Sequence, residues 1–474
     1  MKRILFAGAE VMPFSATGGL GDVLGSLPKA IKNEGDFDVR VVMPLYKSVK
    51  AEWRAEMKTE REIYIDLSWR HLYCGIKSLK KEGVTYYFID NEYYFGRDKL
   101  YSYYDDCERF AFFSKAVIEL MRALDFYPDV YNANDWQTAL SVVYLERIYK
   151  KYLPFRNIKS VFTIHNIEYQ GRFDYSAMSD IFGLCEQDLL EYDGCINLMK
   201  GAIECAGWVS TVSPTYAKEI LESEKSHGLY HCLLENRHKL SGILNGIDYD
   251  YYDPASDGEI CERYSAESPD GKLKNKKALL GELSLPITDA PLIAIISRLA
   301  SHKGLDLIKE ALPRIIGQNE LSLVVLGTGE SEYEEFFRKL EAEYPDKCRA
   351  LIKYDRTLAK KLYAAADILL MPSKSEPCGL SQMIACRYGA VPVVRKTGGL
   401  ADSIKPYSKD ESGNIIGNGF SFSDYSGESL SAAITSALSL YEKRDNFLEL
   451  TKKIMSDDFS WSRSAKKYLE MYEF

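Results

Sequence analysis

The sequence predicts an α/β protein made of two doubly wound, Rossmann-like domains. Three observations carry that expectation. At 474 residues the chain is longer than one hydrophobic core serves, so two domains of similar size are expected. Short β-rich apolar runs alternate with longer helical patterns through both halves. Finally, Thr17-Gly18-Gly19-Leu20-Gly21-Asp22 is echoed by Thr397-Gly398-Gly399-Leu400-Ala401-Asp402, as two related domains would show; a chance likeness of Gly-rich turns is the competing explanation.

In the first half, Ile4-Leu5-Phe6-Ala7 reads as a buried strand and GAEVMPFSATGGLGD as the loop after it. VLGSLPKAIKNEG is amphipathic at helical spacing, and VRVVMPLY is the next strand, which implies a right-handed crossover onto a parallel sheet. VTYYFID is a strand and RFAFFSKAVIELMRAL a helix, while DVYNAND, SVFTIHN and WVSTVSP bring further strands to their ends. ILNGID closes this half. The Asp-, Ser-, Gly- and Pro-rich stretch from Tyr249 then marks a boundary, giving domains 1–248 and 249–460.

The second half repeats the pattern. LIAIISR, LSLVVLG, RALIKY, DILLMPS and VPVVRK are strands, with helical stretches such as GLDLIKEALPRII and EYEEFFRKLEAEY between them; from Ser426 the chain is nearly all helical. The stretch from Ser373 to Asp402 organises this half. Glu376-Pro377-Cys378-Gly379-Leu380 is a tight connection onto a helix beginning at Ser381, where unpaired N–H groups and the helix dipole welcome an anion. Arg298 ends one strand and Lys303 opens the next helix, two cations suited to a diphosphate. Gly327-Thr328-Gly329-Glu330 has too few glycines for a dinucleotide fingerprint. His165, at a strand end, stands where ligands bind in such sheets, outside the carboxyl ends of the strands.

Composition excludes other classes. A net charge of −9 leaves no electrostatic footprint for nucleic acid or an anionic membrane, and no apolar run is long enough to span a bilayer. The N-terminus reads as a strand, not a signal peptide, because Glu10 interrupts the apolar run. Ten cysteines occur with no C-x-x-C pair, so neither a zinc site nor a disulfide framework is expected, and a reducing cytoplasm fits. His227 and His231 lack an acidic companion in a metalloprotease arrangement, and neither a G-x-S-x-G elbow nor a Walker A sequence occurs. The tyrosines Tyr93, Tyr94, Tyr101, Tyr103 and Tyr104 could stack on sugar rings, although core packing explains most of them.

TGGLGDVLGSLPKAI, NDWQTAL, FTIHNIEYQG, STVSPTYAKEI, GILNGID, SRLASHKGLDLI, SEPCGLSQMIACRYG and TGGLADSI are collinear and span nearly the whole chain; together they resemble the bacterial glycogen and plant starch synthase family. That resemblance implies a GT-B fold with two Rossmann-like domains across a cleft. The first would be the glucan-acceptor side and the second the nucleotide-sugar side, with 461–474 crossing back as a terminal helix. It implies glucosyl transfer, with retention, from a nucleotide-glucose, ADP-glucose in most bacterial members, to the non-reducing end of an α-1,4-glucan such as glycogen, without metal or cofactor. By motif, Arg298 and Lys303 would hold the donor diphosphate, and Glu376 the glucose hydroxyls. Gly18, Gly19, Cys378, Gly379, Leu380 and Ser381 would line phosphate and sugar, the glycines, Leu380 and Ser381 through their backbones. His165 would lie against the reacting sugar, Asp135 and Asn245 would line the cleft, and Tyr354 would stack on the adenine.

Three positions depart from the family pattern: Ala16 where a Lys is usual, and Asn132 and Gln137 where His is common. They touch donor affinity and turnover. Two other readings follow: a GT-B transferase with a small acceptor, such as a sucrose synthase-like enzyme, and a weakly catalytic glucan-binding homologue.

Overall fold

The computed structural model describes residues 1–185 and 189–474 and divides them into two compact units, residues 1–245 with 461–474 and residues 246–460. The first is built on a nine-stranded sheet. Its order is Leu240–Gly242, Trp208–Thr211, Lys159–Ile164, Val130–Asn134, Lys2–Ala7, Phe37–Pro44, Val84–Asp90, Arg70–Lys81, Lys58–Leu67. The first seven pair in parallel and the last two are an antiparallel extension. Residues 4–7 are fully buried in the middle of this sheet, which is why they read as a continuous apolar run. Strand order reverses between Lys2–Ala7 and Val130–Asn134, and the crevice of a doubly wound sheet opens at such a point.

The antiparallel pair at the edge was not anticipated. Its residues alternate buried and exposed, Ile65, Leu67, Cys74 and Ile76 inward and charged or aromatic residues outward, so the segment is too polar to register as a buried strand. The first helix also starts earlier than expected, at Gly19 and not Val23, because Gly18 and Gly19 serve as helix start and not as free loop.

The second unit has six parallel strands in the order Cys348–Leu351, Ser322–Leu326, Leu292–Ile296, Ile368–Met371, Val391–Arg395, Phe420–Phe422. Counted within the unit this is 3-2-1-4-5-6, the Rossmann order, with its switch between Leu292–Ile296 and Ile368–Met371. The polar stretch after Tyr249 is not a loose linker. Asp253 pairs with Arg387 at 2.8 Å, Asp257 with Lys360 at 3.4 Å, and Lys272 donates to the carbonyls of Tyr363, Ala364 and Tyr388. Its polar residues are anchors, which composition alone does not distinguish from solvated ones.

The terminal helix Trp461–Met471 belongs to the first unit, where it packs on helix Gly19–Asn33. Ser464 Oγ donates to the Leu244 carbonyl at 2.6 Å and Asn132 Nδ2 to the Tyr472 hydroxyl at 3.0 Å. Among the described residues no helix is long and apolar enough to cross a membrane.

Candidate functional site

In the first unit the candidate residues gather at the carboxyl ends of the strands around the switch. Asn134 ends one strand and Asp135 follows with φ +57° and ψ 176°, a conformation that costs a non-glycine residue about 1–3 kcal/mol and so marks a site worth that strain. The Asp135 carboxylate accepts the His165 N–H at 2.8 Å, tying two strand ends together. Burial pushes that carboxyl up to about 7, against the lowering effect of the His165 and Asn166 N–H groups.

His165 is oriented by a residue the sequence did not single out. Asn134 Nδ2 donates to the carbonyls of Ala7 and Asn132, which leaves Asn134 Oδ1 to face His165 Nε2 at 2.9 Å. The proton therefore sits on Nε2 and the Nδ1 lone pair is open. Burial holds the ring neutral, its pKa down to about 3. The only signal in the sequence was the NANDW run itself, whose Asn reads as an ordinary strand end.

Glu10 was also missed. Its buried carboxylate accepts the N–H groups of Thr17 (2.5 Å) and Gly18 (2.9 Å) and the hydroxyls of Thr17 and Tyr101. Gly18 N–H is thus committed inside the protein, and at this helix start the N–H groups of Gly19 and Leu20 find no acceptor among the described residues. A Cβ added at Gly18 or Gly19 would meet nothing, and neither needs a left-handed backbone. The paired glycines therefore keep space clear above the loop.

Of the three departures, Asn132 is buried, its Nδ2 donating to the Tyr472 hydroxyl and its Oδ1 accepting from the Thr163 hydroxyl. Gln137 Oε1 and Asn245 Oδ1 are buried without a hydrogen-bond partner among the described residues. Ala16 sits with its Cβ 2.2 Å from where a Cβ on Gly21 would lie.

In the second unit the loops after Leu292–Ile296 and Ile368–Met371 are zipped together at the switch. The His302 carbonyl accepts the Lys374 N–H at 2.9 Å, and Lys303 Nζ donates to Glu376 Oε2 at 2.6 Å, with Ser373 Oγ on the same oxygen at 2.9 Å. Gly304, at φ +71°, permits this approach, since a Cβ there would lie 2.0 Å from the Pro372 carbonyl oxygen. Burial would raise the Glu376 carboxyl, but the Lys303 ammonium and the two hydrogen bonds outweigh it and hold it below the ordinary range. Arg298 is exposed, and its guanidinium has no hydrogen bond or ion pair among the described residues. The 327–330 turn lies under its loop, with Leu299 N–H donating to the Thr328 carbonyl at 2.9 Å.

After Glu376 the backbone turns at Gly379 (φ +72°), and the N–H groups of Gly379, Leu380 and Ser381 find no acceptor among the described residues. Cys378 is buried, and Gln382 Nε2 holds the Cys378 and Gly379 carbonyls from below. Tyr354 stands apart, 81% exposed beyond the edge strand Cys348–Leu351. No group of three or more His, Cys, Asp or Glu residues that could hold a metal is present among the described residues.

Comparison with known proteins places this arrangement. A family model described as starch synthase catalytic domain matches residues 3–235, and one described as glycosyl transferases group 1 matches residues 284–454. The chain is similar to a glycogen synthase of Bacillus subtilis, 43% identical over 99% of this chain and 98% of that one. A glycogen synthase of Lactococcus lactis is 45% identical over 99% of each. Among solved structures, the catalytic domain of starch synthase IV from Arabidopsis thaliana, bound to ADP and acarbose, superposes with a TM-score of 0.91 at 34% identity, covering 100% of this chain and 98% of that one. Sucrose-phosphate synthase from Thermosynechococcus elongatus shares the fold at 16% identity, with a TM-score of 0.61 over 100% of this chain and 98% of that one.

Proposed function

The chain belongs to the glycogen synthase and starch synthase family of glucosyltransferases, with the GT-B fold, and from that premise we propose that it transfers glucose from ADP-glucose to the non-reducing end of an α-1,4-glucan with retention. The observation that carries the reading is the switch of the second unit. There Arg298, the Lys303–Glu376 pair and three open N–H groups converge from two adjacent strand ends.

Their chemistry suits a nucleotide-sugar. The leaving group is a diphosphate whose charge grows as the glycosidic bond breaks, and preorganised cations aimed at that charge lower the barrier most. Arg298, with its side chain uncommitted, and Lys303, held in place by Glu376, would supply them without a metal. The Gly379–Ser381 N–H groups would add neutral donors. Glu376, kept ionised, offers acceptor lone pairs to sugar hydroxyls.

The first-unit residues would serve the sugar. A neutral His165 beside a developing oxocarbenium ion brings no repelling charge, and its Nδ1 can accept a hydroxyl. Attack on the front face, with the departing phosphate taking the acceptor's proton, needs no protein nucleophile. ADP as the nucleotide is supported by the Arabidopsis starch synthase IV domain, which was solved with it. A donor panel of ADP- and UDP-glucose with glycogen as acceptor, followed by chain-length analysis of the product, tests the assignment. No elongation of glycogen from either donor would overturn it.

A further inference from the structure

The turn that carries Glu376 into the second unit's site is tied down at every residue. The Pro372 carbonyl rests against Gly304, and the N–H groups of Lys374 and Ser375 donate to the His302 carbonyl at 2.9 and 3.4 Å. The Glu376 carbonyl accepts the Gly399 N–H at 3.1 Å. That leaves the carbonyls of Ser373 and Lys374, and one side chain serves both. Arg395, the last residue of strand Val391–Arg395, donates from Nη1 to the Ser373 carbonyl at 3.4 Å and to the Lys374 carbonyl at 3.0 Å.

Arg395 is itself held in place. Its guanidinium carbon lies 5.2 Å from the centre of the Tyr425 ring, and the Tyr425 hydroxyl donates to Asp306 Oδ1 at 2.6 Å. Asp306 stands in the first turn of helix Leu305–Gln318, which follows Lys303 and Gly304. The path therefore closes on itself: the helix after Lys303 sets Tyr425, Tyr425 sets Arg395, and Arg395 sets the turn before Glu376. Arg395 makes no ion pair among the described residues, and its Nε is buried there without a hydrogen-bond partner, a cost that an aliphatic side chain would escape. Its two carbonyl bonds are what the guanidinium supplies in return.

We propose that Arg395 is a positioning residue for transfer: through the Ser373 and Lys374 carbonyls it fixes the Ser373 hydroxyl and Glu376 against Lys303, and it touches no donor atom itself. The role given to Glu376 rests on the function proposed above; the path from Arg395 to it rests on the geometry alone. Ser373 Oγ and Lys303 Nζ both donate to Glu376 Oε2, at 2.9 and 2.6 Å, so a shift of the turn carries Ser373 and Glu376 away from Lys303 together. A planar guanidinium with two hydrogens on one nitrogen can serve two neighbouring carbonyls while lying against a ring. An ammonium is a compact charge on a flexible stem and fixes neither direction.

The test uses the full chain, with kcat counted per ADP-binding site so that a smaller folded fraction does not read as slow turnover. Arg395→Lys keeps the charge and is expected to lower kcat with ADP-glucose and glycogen about tenfold to a hundredfold, as a misplacement of about 1 Å would give. KM for ADP-glucose should stay within about twofold, the split shown by a group that orders the reaction without binding the donor. Tyr425→Leu should lower kcat less, and the double variant should be no slower than Arg395→Lys, because the two residues act along one path. Wild-type kcat in Arg395→Lys overturns the proposal. So does a rise in KM for ADP-glucose that accounts for the whole loss, which would make Arg395 a donor ligand, or losses that simply multiply in the double variant. Should Arg395→Lys fold poorly, Tyr425→Leu decides by the same kcat and KM readings. Reactivity of Lys303 toward an amine-acylating reagent, read by peptide mass spectrometry, needs no turnover and should rise several-fold in Arg395→Lys. If the wild type transfers no glucose the function fails and this reading still decides: unchanged Lys303 reactivity overturns the positioning role.

Discussion

Replacing Lys303 by Met should unfold the second unit more than it should if Lys303 were a surface cation, and the loss should be repaired by changing its partner. The pair is 2.6 Å long, with side chains only 16% and 10% exposed. Removing the ammonium leaves the Glu376 carboxylate buried with Ser373 Oγ as its remaining hydrogen-bond donor among the described residues, and burial then drives it toward protonation. Breaking a buried pair from one side costs about 3–5 kcal/mol. For a unit of this size each kcal/mol lowers the melting temperature by about 2–4 °C, so a fall of roughly 6–20 °C is expected. Lys303→Met/Glu376→Gln replaces the stranded charge by a neutral amide that Ser373 can still serve, and most of the loss should return. Activity should not return: with the cation gone, turnover stays down on the order of 100- to 1,000-fold in both variants. Calorimetry of the second transition and initial rates with ADP-glucose and glycogen read the two effects separately. Additive melting losses, or a double variant as active as wild type, would refute the account of this pair.

Three further outcomes follow from the first unit. Ala16→Lys roots a cation two residues before Gly18, on a loop whose Ala16 Cβ now packs against Gly21, and should tighten ADP-glucose binding by about 10- to 150-fold, a gain that shrinks with salt in titration; no change at either salt concentration would show the loop built around alanine. Asn134→Leu removes the acceptor that fixes the His165 tautomer and should lower kcat about tenfold to a hundredfold with little change in KM, measured by steady-state kinetics. Burial keeps His165 neutral to about pH 3 while an unfolded histidine protonates near 6.5, so its contribution to stability is whole above about pH 6.5 and drains as pH falls toward 3. Denaturant unfolding at pH 7.5, 5.5 and 4.5 should show wild type losing stability with about one proton more slope than His165→Asn; equal slopes count against a buried neutral ring.

Much of the second unit was legible in the sequence because its strands are buried on both faces and read as bare apolar runs such as Leu292–Ile296 and Ile368–Met371. The residues that make chemistry out of that frame were half legible. Arg298, Lys303 and Glu376 announce themselves as charges at strand ends. Glu10, Asn134 and Ser373 do not, because their role lies in which backbone or side chain they hold, and those partners are distant in the chain or are main-chain atoms. Nor could the sequence show that Lys303 and Glu376, 73 positions apart, spend their charges on each other. The polar run after Tyr249 misleads for the opposite reason: Asp253 and Asp257 look like linker residues until their cations are seen.

The echoed hexapeptides show how far one sequence pattern can serve two physical purposes. In the second unit Gly398 has φ +43°, and a Cβ there would lie 2.0 Å from the Glu376 carbonyl oxygen; at Gly399 it would lie 2.1 Å from that of Cys378. Both are buried, and Gly399 N–H donates to the Glu376 and Pro377 carbonyls, so this turn is a support pressed under the 376–379 loop. In the first unit the matching Gly18 and Gly19 are exposed, have room for a Cβ and need no unusual torsion. Packing therefore requires glycine at 399 and not at 19. Gly399→Ala should push on backbone that cannot yield, costing about 1–3 kcal/mol and lowering the melting temperature of the second unit. Gly19→Ala, at the first residue of a helix, should leave stability unchanged or raise it by up to about 1 kcal/mol. Its cost should appear only with substrate, as a raised KM for ADP-glucose from a methyl group standing where the ligand approaches. Melting curves and donor kinetics of the two variants decide the matter. A Gly399→Ala protein as stable as wild type would remove the support argument, and a Gly19→Ala protein with wild-type donor kinetics would mean that the space above the first loop is not used.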